Sequence, residues 1–361
     1  MKILHISSAL SWRGGEQQLF NLCTTLNSVN VNQIVACPFD SILYKRITQK
    51  NIPTYGFKKR SGLLLGLALK LNKLCKNNDI DIIHVHDSHA HTAAYLAAIL
   101  GNNTKIVVSR RVDFSIGKHF LSKYKYNHKN IKKIICVSDA IKNVMKTAVK
   151  NKNVLCTIHS GINMNRFPSH NKTYKLHQIC HYSKEHIVIG NTSALADHKD
   201  YFTYIDSAEL ILKEVPEARF VIIGGGNQKE EIQNYITDKN LQNYITLLGY
   251  RSDVPDLLPD FDIFLITSKT EGLGTSILDA FACKVPVVAT KAGGIPEIVI
   301  NNQTGMLASV GNATELAENV IKILNNNELR KILTTNAFDS LSGYTVEKMS
   351  QATLNVYQSI L

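Results

Sequence analysis

The chain has 361 residues, 44% apolar and 19% charged, long enough for two cores of ordinary domain size, and that composition excludes wholesale disorder. Its seven cysteines are odd in number, scattered and never spaced as C-x-x-C, which excludes a disulfide framework and a cysteine zinc site and points to reduced thiols. The net charge of +12 is uneven: residues 1–165 hold 24 Lys/Arg against 7 Asp/Glu, while 166–361 hold 17 against 22. Such asymmetry indicates two domains and an anionic partner for the first.

The N-terminus runs directly into an apolar strand pattern without the core and cleavage site of a signal peptide, and no apolar run is long enough to span a bilayer. A cytoplasmic protein is expected. Strands are predicted at Ile3–Ser7, Gln33–Ala36, Ile80–Val85, Lys105–Val108 and Lys133–Val137, alternating with helical periods such as Glu16–Leu26 and Ala140–Ala148. After a polar stretch, Ser169–Lys184, that reads as the linker, strands resume at Ile187–Asn191, Arg219–Ile223, Tyr244–Leu247, Ile263–Ile266 and Val285–Ala289. Each half reads as an open, doubly wound parallel sheet whose ligands sit at the carboxyl ends of the strands. The expected domains are 1–165 and 166–344. A final amphipathic helix, Thr345–Leu361, offers Met349, Leu354, Val356 and Leu361 as its buried positions.

Three glycine loops stand between strand and helix. Gly14 and Gly15 follow the first strand; backbone amides there could meet a phosphate, or the loop is a plain turn. Gly224-Gly225-Gly226 follows Arg219–Ile223, and the entropy cost of three glycines favours the phosphate reading, with Gly225 central. The third is the most informative. Thr270-Glu271-Gly272-Leu273-Gly274-Thr275 comes straight after an apolar strand, and Asp279 lies eight positions after Glu271. If a helix begins at Thr275, the Gly272–Ser276 amides can hold a diphosphate while one acid meets sugar hydroxyls and the other ribose. That geometry suits a nucleotide sugar.

Together with Pro286-Val287-Val288-Ala289-Thr290 and Gly293-Gly294-Ile295-Pro296-Glu297, this segment resembles the retaining GT-B glycosyltransferases of family four, whose second domain carries a Glu, seven residues, then Glu. Here the second acid, Asp279, is one methylene shorter. The resemblance spans nearly the whole chain: Gly14-Gly15-Glu16 is similar to the family's first glycine loop, and His159-Ser160-Gly161-Ile162-Asn163 to its Asn-Gly-Val-Asp hinge. It implies two Rossmann-like α/β domains facing across a cleft, with the C-terminal helix (345–361) crossing back to the first. It further implies donor binding in the second domain by Gly225, Gly272, Leu273, Gly274, Thr275 and Asp279, helped by Gly14 and Gly15. Lys199 resembles the family's diphosphate-binding lysine, and Glu271 would orient the donor sugar. No cofactor is expected beyond a UDP- or GDP-sugar co-substrate, and no metal.

Two departures matter. No arginine lies between Gly190 and Lys199, where the family usually has one, and Arg111 occupies the place of a histidine that many relatives carry near the reacting sugar. Arginine cannot act as a base near neutrality, so Arg111 points to an anionic group on the acceptor. His84, His86, His89 and His91 invite a metal reading, but flanking thiols and carboxylates are sparse; His86, His89 and His91 are expected to line the acceptor site, with His84 in the core. The basic segments 57–60 and 117–133, the first followed by a leucine-rich run, fit either an anionic membrane surface or ordinary packing and solvation. The leading expectation is a metal-independent, retaining hexosyltransferase, peripheral on the inner membrane face, with a lipid-linked, lipopolysaccharide or surface-polysaccharide acceptor. The alternatives are a nucleotide-sugar epimerase of the same fold and a basic nucleic-acid-binding protein, the latter opposed by the lack of any such motif.

Overall fold

The computed structural model describes residues 1–59, 64–114, 116, 120–167 and 170–361. The chain divides into two compact units, one of Met1–Gly161 with Tyr344–Leu361 and the other of Ile162–Gly343.

The first unit runs β1 (Lys2–Ile6), α1 (Gly14–Ser28), β2 (Asn32–Pro38), α2 (Ile42–Thr48), β3 (Thr54–Phe57), α3 (Leu64–Asn77), β4 (Ile82–Val85), α4 (Ser88–Ile99), β5 (Lys105–Arg110), α5 (Phe120–Tyr126), β6 (Ile131–Cys136), α6 (Asp139–Lys146) and β7 (Leu155–Thr157). Its strands are parallel in the order β3-β2-β1-β4-β5-β6-β7. Apolar, β-branched runs such as Ile82-Ile83 and Ile106-Val107-Val108 are buried throughout, as a sheet covered on both faces requires. The edge strands β3 and β7 were not predicted, being short and only partly buried.

The second unit runs α7 (Lys175–Cys180), β8 (Ile187–Thr192), α8 (Tyr201–Glu214), β9 (Ala218–Ile223), α9 (Lys229–Asp238), β10 (Ile245–Gly249), α10 (Val254–Leu257), β11 (Ile263–Ile266), α11 (Thr275–Ala282), β12 (Val287–Thr290), β13 (Met306–Ala308), α12 (Ala313–Leu324) and α13 (Asn327–Ser340). Its sheet is also parallel, in the order β10-β9-β8-β11-β12-β13. The described part of the stretch expected as a linker is anchored in this unit. The buried Asp260 carboxylate accepts from the amides of Thr173 (2.6 Å), Tyr174 (2.8 Å) and Leu176 (2.8 Å), capping α7 from a distance. Ser169 lies outside the described residues.

The last helix, α14 (Val346–Gln358), belongs to the first unit and packs on α1, with Met349 and Tyr357 in a core formed with Ile3, Leu22, Leu26, Ile82, Val107 and Ile135. Its buried stripe is Val346, Met349, Ser350, Thr353 and Tyr357. Of the four expected positions only Met349 is buried, and Leu361 is 57% exposed. The true stripe follows the 3.6-residue period through small polar residues, which a search for aliphatics passes over. Close approach needs Gly161: a Cβ there would lie 2.7 Å from Val346 Cα.

All seven cysteines are free; five are buried, and Cys156 and Cys180 are half-buried. Among the described residues no helix is long and apolar enough to cross a bilayer.

Candidate active site

Strand order reverses between β1 and β4 in the first sheet and between β8 and β11 in the second. At such a switch point the loops leaving the two strands diverge and open a crevice at the carboxyl edge. In the second unit these are the loop Ser193–Lys199 after β8 and the loop Thr267–Gly274 after β11.

The two loops are tied together. Thr267 Oγ1 donates to the carbonyls of Lys199 (3.1 Å) and Asp200 (2.9 Å), and the Lys269 amide donates to His198 O (2.8 Å). Behind them, the Ser193 and Tyr201 hydroxyls donate to Asn191 Oδ1, whose amide reaches Leu265 O at 2.6 Å. On this frame Lys199 Nζ meets Glu271 Oε2 at 2.5 Å, with side chains only 12% and 14% exposed. Ser268 Oγ donates to the same oxygen at 3.3 Å, and the Gly294 amide holds Glu271 O at 3.0 Å. An ammonium and a carboxylate are thus fixed at the crevice with little freedom to turn away. Thr270 Oγ1 beside them is buried without a hydrogen-bond partner among the described residues.

Gly274 then takes φ +87°, a left-handed conformation that glycine adopts without strain, and α11 starts at Thr275. The amides of Gly272 to Ser276 therefore sit at the positive end of a helix, with Leu273 buried as the anchor of the turn. Asp279, one turn inside α11, has its carboxyl pushed up to about 6 by desolvation, with Arg166 Nη1, 4.0 Å away, pulling it back down.

The Gly224–Gly226 loop packs against the loop after β8. A Cβ on Gly224 would lie 1.9 Å from Ser193 O and one on Gly226 2.0 Å from Leu195 O, whereas Gly225 has only Tyr250 Cβ at 4.0 Å. Close backbone packing thus accounts for two of the three glycines, a cause separate from phosphate binding. Gly225 O accepts from the Leu195 amide.

In the first unit Asp87 closes the corresponding edge. It caps α4 through the His89 and Ala90 amides and accepts from the Ser8 hydroxyl at 2.7 Å. Arg111 follows β5 with its Nε buried and unpartnered among the described residues, and its Cδ lies 3.6 Å from where a Gly15 Cβ would stand. Burial draws its guanidinium down to about 10, and Glu16 opposes that shift; Glu16 is itself raised by desolvation. Gly14 opens α1.

The histidines occupy different surroundings. His84 lies in the core as expected, hydrogen-bonded to Tyr357 Oη (2.5 Å) and Ser109 Oγ (2.9 Å). His86 is also buried, its ring 4.0 Å from that of His84 and its Nε2 3.1 Å from His5 Nδ1. His89 is exposed on α4, and His91 is buried against Tyr126 at 4.6 Å. The three rings expected to line one surface do not converge on one, because a helix begins between them and its first turn sends His89 and His91 to different faces.

His5, His84 and His86 bring ligand atoms within 4.8 Å of one another, the metal-like grouping found among the described residues. Both His84 nitrogens are already engaged, and Arg111 acts electrostatically on His84 and His86, so the trio suits a neutral polar core better than a cation. Sequence reasoning passed over His5, Ser109, Tyr357 and Arg166. The first three are linked by sheet register and helix packing between distant segments, and Arg166 lies just past the quoted hinge motif.

Residues 12–166 match the family Glycosyltransferase Family 4, and residues 175–340 match Glycosyl transferases group 1. The chain is a family-four, group 1 glycosyltransferase. This glycosyltransferase is 28% identical, over 100% of its length and 99% of the relative's, to an uncharacterized glycosyltransferase of Methanocaldococcus jannaschii. It is 27% identical to the N,N'-diacetylbacillosaminyl-diphospho-undecaprenol alpha-1,3-N-acetylgalactosaminyltransferase of Campylobacter jejuni, over 81% of this chain and 80% of that one. Its fold matches the crystal structure of Anabaena HepE in complex with UDP-glucose with a TM-score of 0.87 at 24% identity, covering 99% and 100% of the two chains. The glycosyltransferase therefore has the GT-B fold, and the epimerase and nucleic-acid readings are left without support.

Proposed function

We propose that this glycosyltransferase moves a hexosyl-type sugar from a UDP-sugar to a lipid-linked or surface-polysaccharide acceptor, with retention at the anomeric carbon. A GDP-sugar is the second donor choice. The observation that carries this reading is the Lys199–Glu271 pair at the β8/β11 switch point, beside the glycine turn that opens α11. UDP is preferred because the HepE structure holds UDP-glucose, and the acceptor class rests on relatives such as the Campylobacter jejuni enzyme.

In this mechanism the bond between the anomeric carbon and the diphosphate oxygen breaks as the acceptor oxygen attacks the same face, and the departing phosphate oxygen takes the acceptor proton. Charge builds on the diphosphate. Lys199 and the amides of Gly272, Leu273, Gly274 and Thr275 stabilise it where water is excluded. Glu271 accepts from sugar hydroxyls, Asp279 from the ribose, and Gly225 adds an open backbone position on the adjoining loop. In the first unit Arg111, with the α1 amides at Gly14 and Gly15, supplies positive charge for a phosphate- or carboxylate-bearing ligand. Of the histidines, the exposed His89 is the one we assign to acceptor contact, while His86 and His91, both buried, act through packing.

Association with an anionic membrane face is part of the proposal. Leu65 and Leu69, 54% and 55% exposed one turn apart on α3, and the exposed Tyr124 near Lys123 support it. Arg60, Leu63, Gly117, Lys118 and the Phe120 side chain lie outside the described residues. The test is turnover of purified protein against UDP-, GDP- and ADP-sugars, followed by determination of the product anomer. UDP-sugar consumption and a retained anomer are expected. An inverted anomer overturns retention, and inertness toward every donor overturns the assignment.

A further inference from the structure

Asp279 is paired with Arg166, a residue to which the reaction scheme above gives no part. Arg166 closes the short turn Met164–Arg166, which starts only two residues after the second unit begins at Ile162. The Asn163 side chain accepts from the Asn165 amide (3.0 Å), and the Phe167 amide donates to Met164 O (3.0 Å). Phe167 is buried, and the guanidinium lies 5.3 Å from its ring centroid. The cation therefore has a fixed seat. Its Nη1 is 4.0 Å from Asp279 Oδ1, with the side chains 32% and 24% exposed.

That separation is informative. It is too long for a direct hydrogen bond, so the carboxylate oxygens keep their lone pairs for hydroxyl donors, yet close enough for the charge to act. Asp279 needs such a charge. It projects from a helix whose Ile277, Leu278, Ala280, Phe281 and Ala282 are all buried, surroundings that favour a neutral acid. No other cation takes this role among the described residues packed on α11. Strand β12 and the turn Leu341–Gly343 carry no ionisable side chain. Asp260 is engaged with the α7 amides, Arg330 on α13 reaches Asp262, and Glu328, Lys331 and Asp339 are exposed. Cys283, one turn on, has its thiol held up by burial and stays neutral.

We propose that Arg166 is a positioning residue that keeps the Asp279 carboxylate ionised and open for the nucleotide ribose, so that the pH range of donor binding is set by this pair. The proposal rests on the reading above that Asp279 meets the ribose.

The test is binding of UDP-glucose without acceptor, from pH 5.5 to 8.5, because its diphosphate diester does not titrate in that range. Wild-type affinity should fall as pH drops through about 6. Arg166→Gln and Arg166→Met should move that fall upward by about one pH unit, weakening binding several-fold at pH 7 and little at pH 8.5. Arg166→Lys should restore the wild-type profile, and Asp279→Asn should bind weakly with a flat profile. A wild-type profile in both the Gln and Met variants overturns the inference while leaving the ribose assignment standing. Full affinity in Asp279→Asn overturns the ribose assignment itself. If neither neutral variant folds, carboxyl NMR of wild-type Asp279 decides: titration near 4 overturns the inference, and titration near 6 supports it.

Discussion

The Tyr357 hydroxyl of the last helix hydrogen-bonds His84 Nδ1 in the centre of the first sheet, across 273 positions of sequence. Both side chains are essentially without solvent contact. Tyr357→Phe removes one partner and leaves a buried ring nitrogen unsatisfied, which costs about 1–3 kcal/mol. A lowered denaturant midpoint at unchanged m-value is expected; an unchanged midpoint would contradict the bond.

Acid should weaken the first unit. Burial pushes His5 and His91 down to about 3 from 6.5, and His84 and His86 move the same way. Because the folded values are depressed, this stability is present above pH 6.5 and is lost as pH falls toward 3. His5 and His91 should each cost about 2 kcal/mol between pH 7 and pH 5. Replacing His91 with Phe should flatten that slope in a urea titration run at several pH values, and an equally steep slope would be the contrary result.

Gly224 and Gly226 should be intolerant where Gly225 is not. Alanine at either outer position drives a methyl into a backbone carbonyl of the loop after β8, at a cost of about 1–3 kcal/mol. Gly225→Ala should stay within about 0.5 kcal/mol. Its donor affinity then separates the remaining roles of the loop: a loss of UDP-sugar binding without loss of stability would place a ligand there.

Lys199→Ala and Glu271→Ala should each reduce turnover by about 10²–10³-fold with the fold intact, the lysine because it faces charge that develops on the leaving diphosphate and the glutamate because it orients the donor sugar and holds that lysine in place. Single-turnover measurements with saturating donor provide the check. Near-normal rates in both variants would remove this pair from the reaction.

The parallel sheets were legible because central strands such as Ile263–Ile266 are runs that stay apolar on both faces. The Thr270–Asp279 segment was legible because carboxylates and glycines fall at fixed offsets around one strand-to-helix turn. Strand β13 was missed for lack of length, and the His5–His84 pairing because register between β1 and β4 joins segments 79 residues apart. The histidine run at 84–91 misled for a related reason. Its members straddle the end of a strand and the start of a helix, so closeness in sequence gave no common direction.

The buried thiols bear on how the enzyme can be watched at work. Burial raises Cys37 and Cys136 to about 12 and Cys180 to about 11, so the native cysteines present almost no thiolate near neutrality. A single cysteine introduced on the exposed surface near the α11 turn would react first with a maleimide dye. Donor arrival could then be followed by fluorescence in real time, without stripping the protein of its own sulfur.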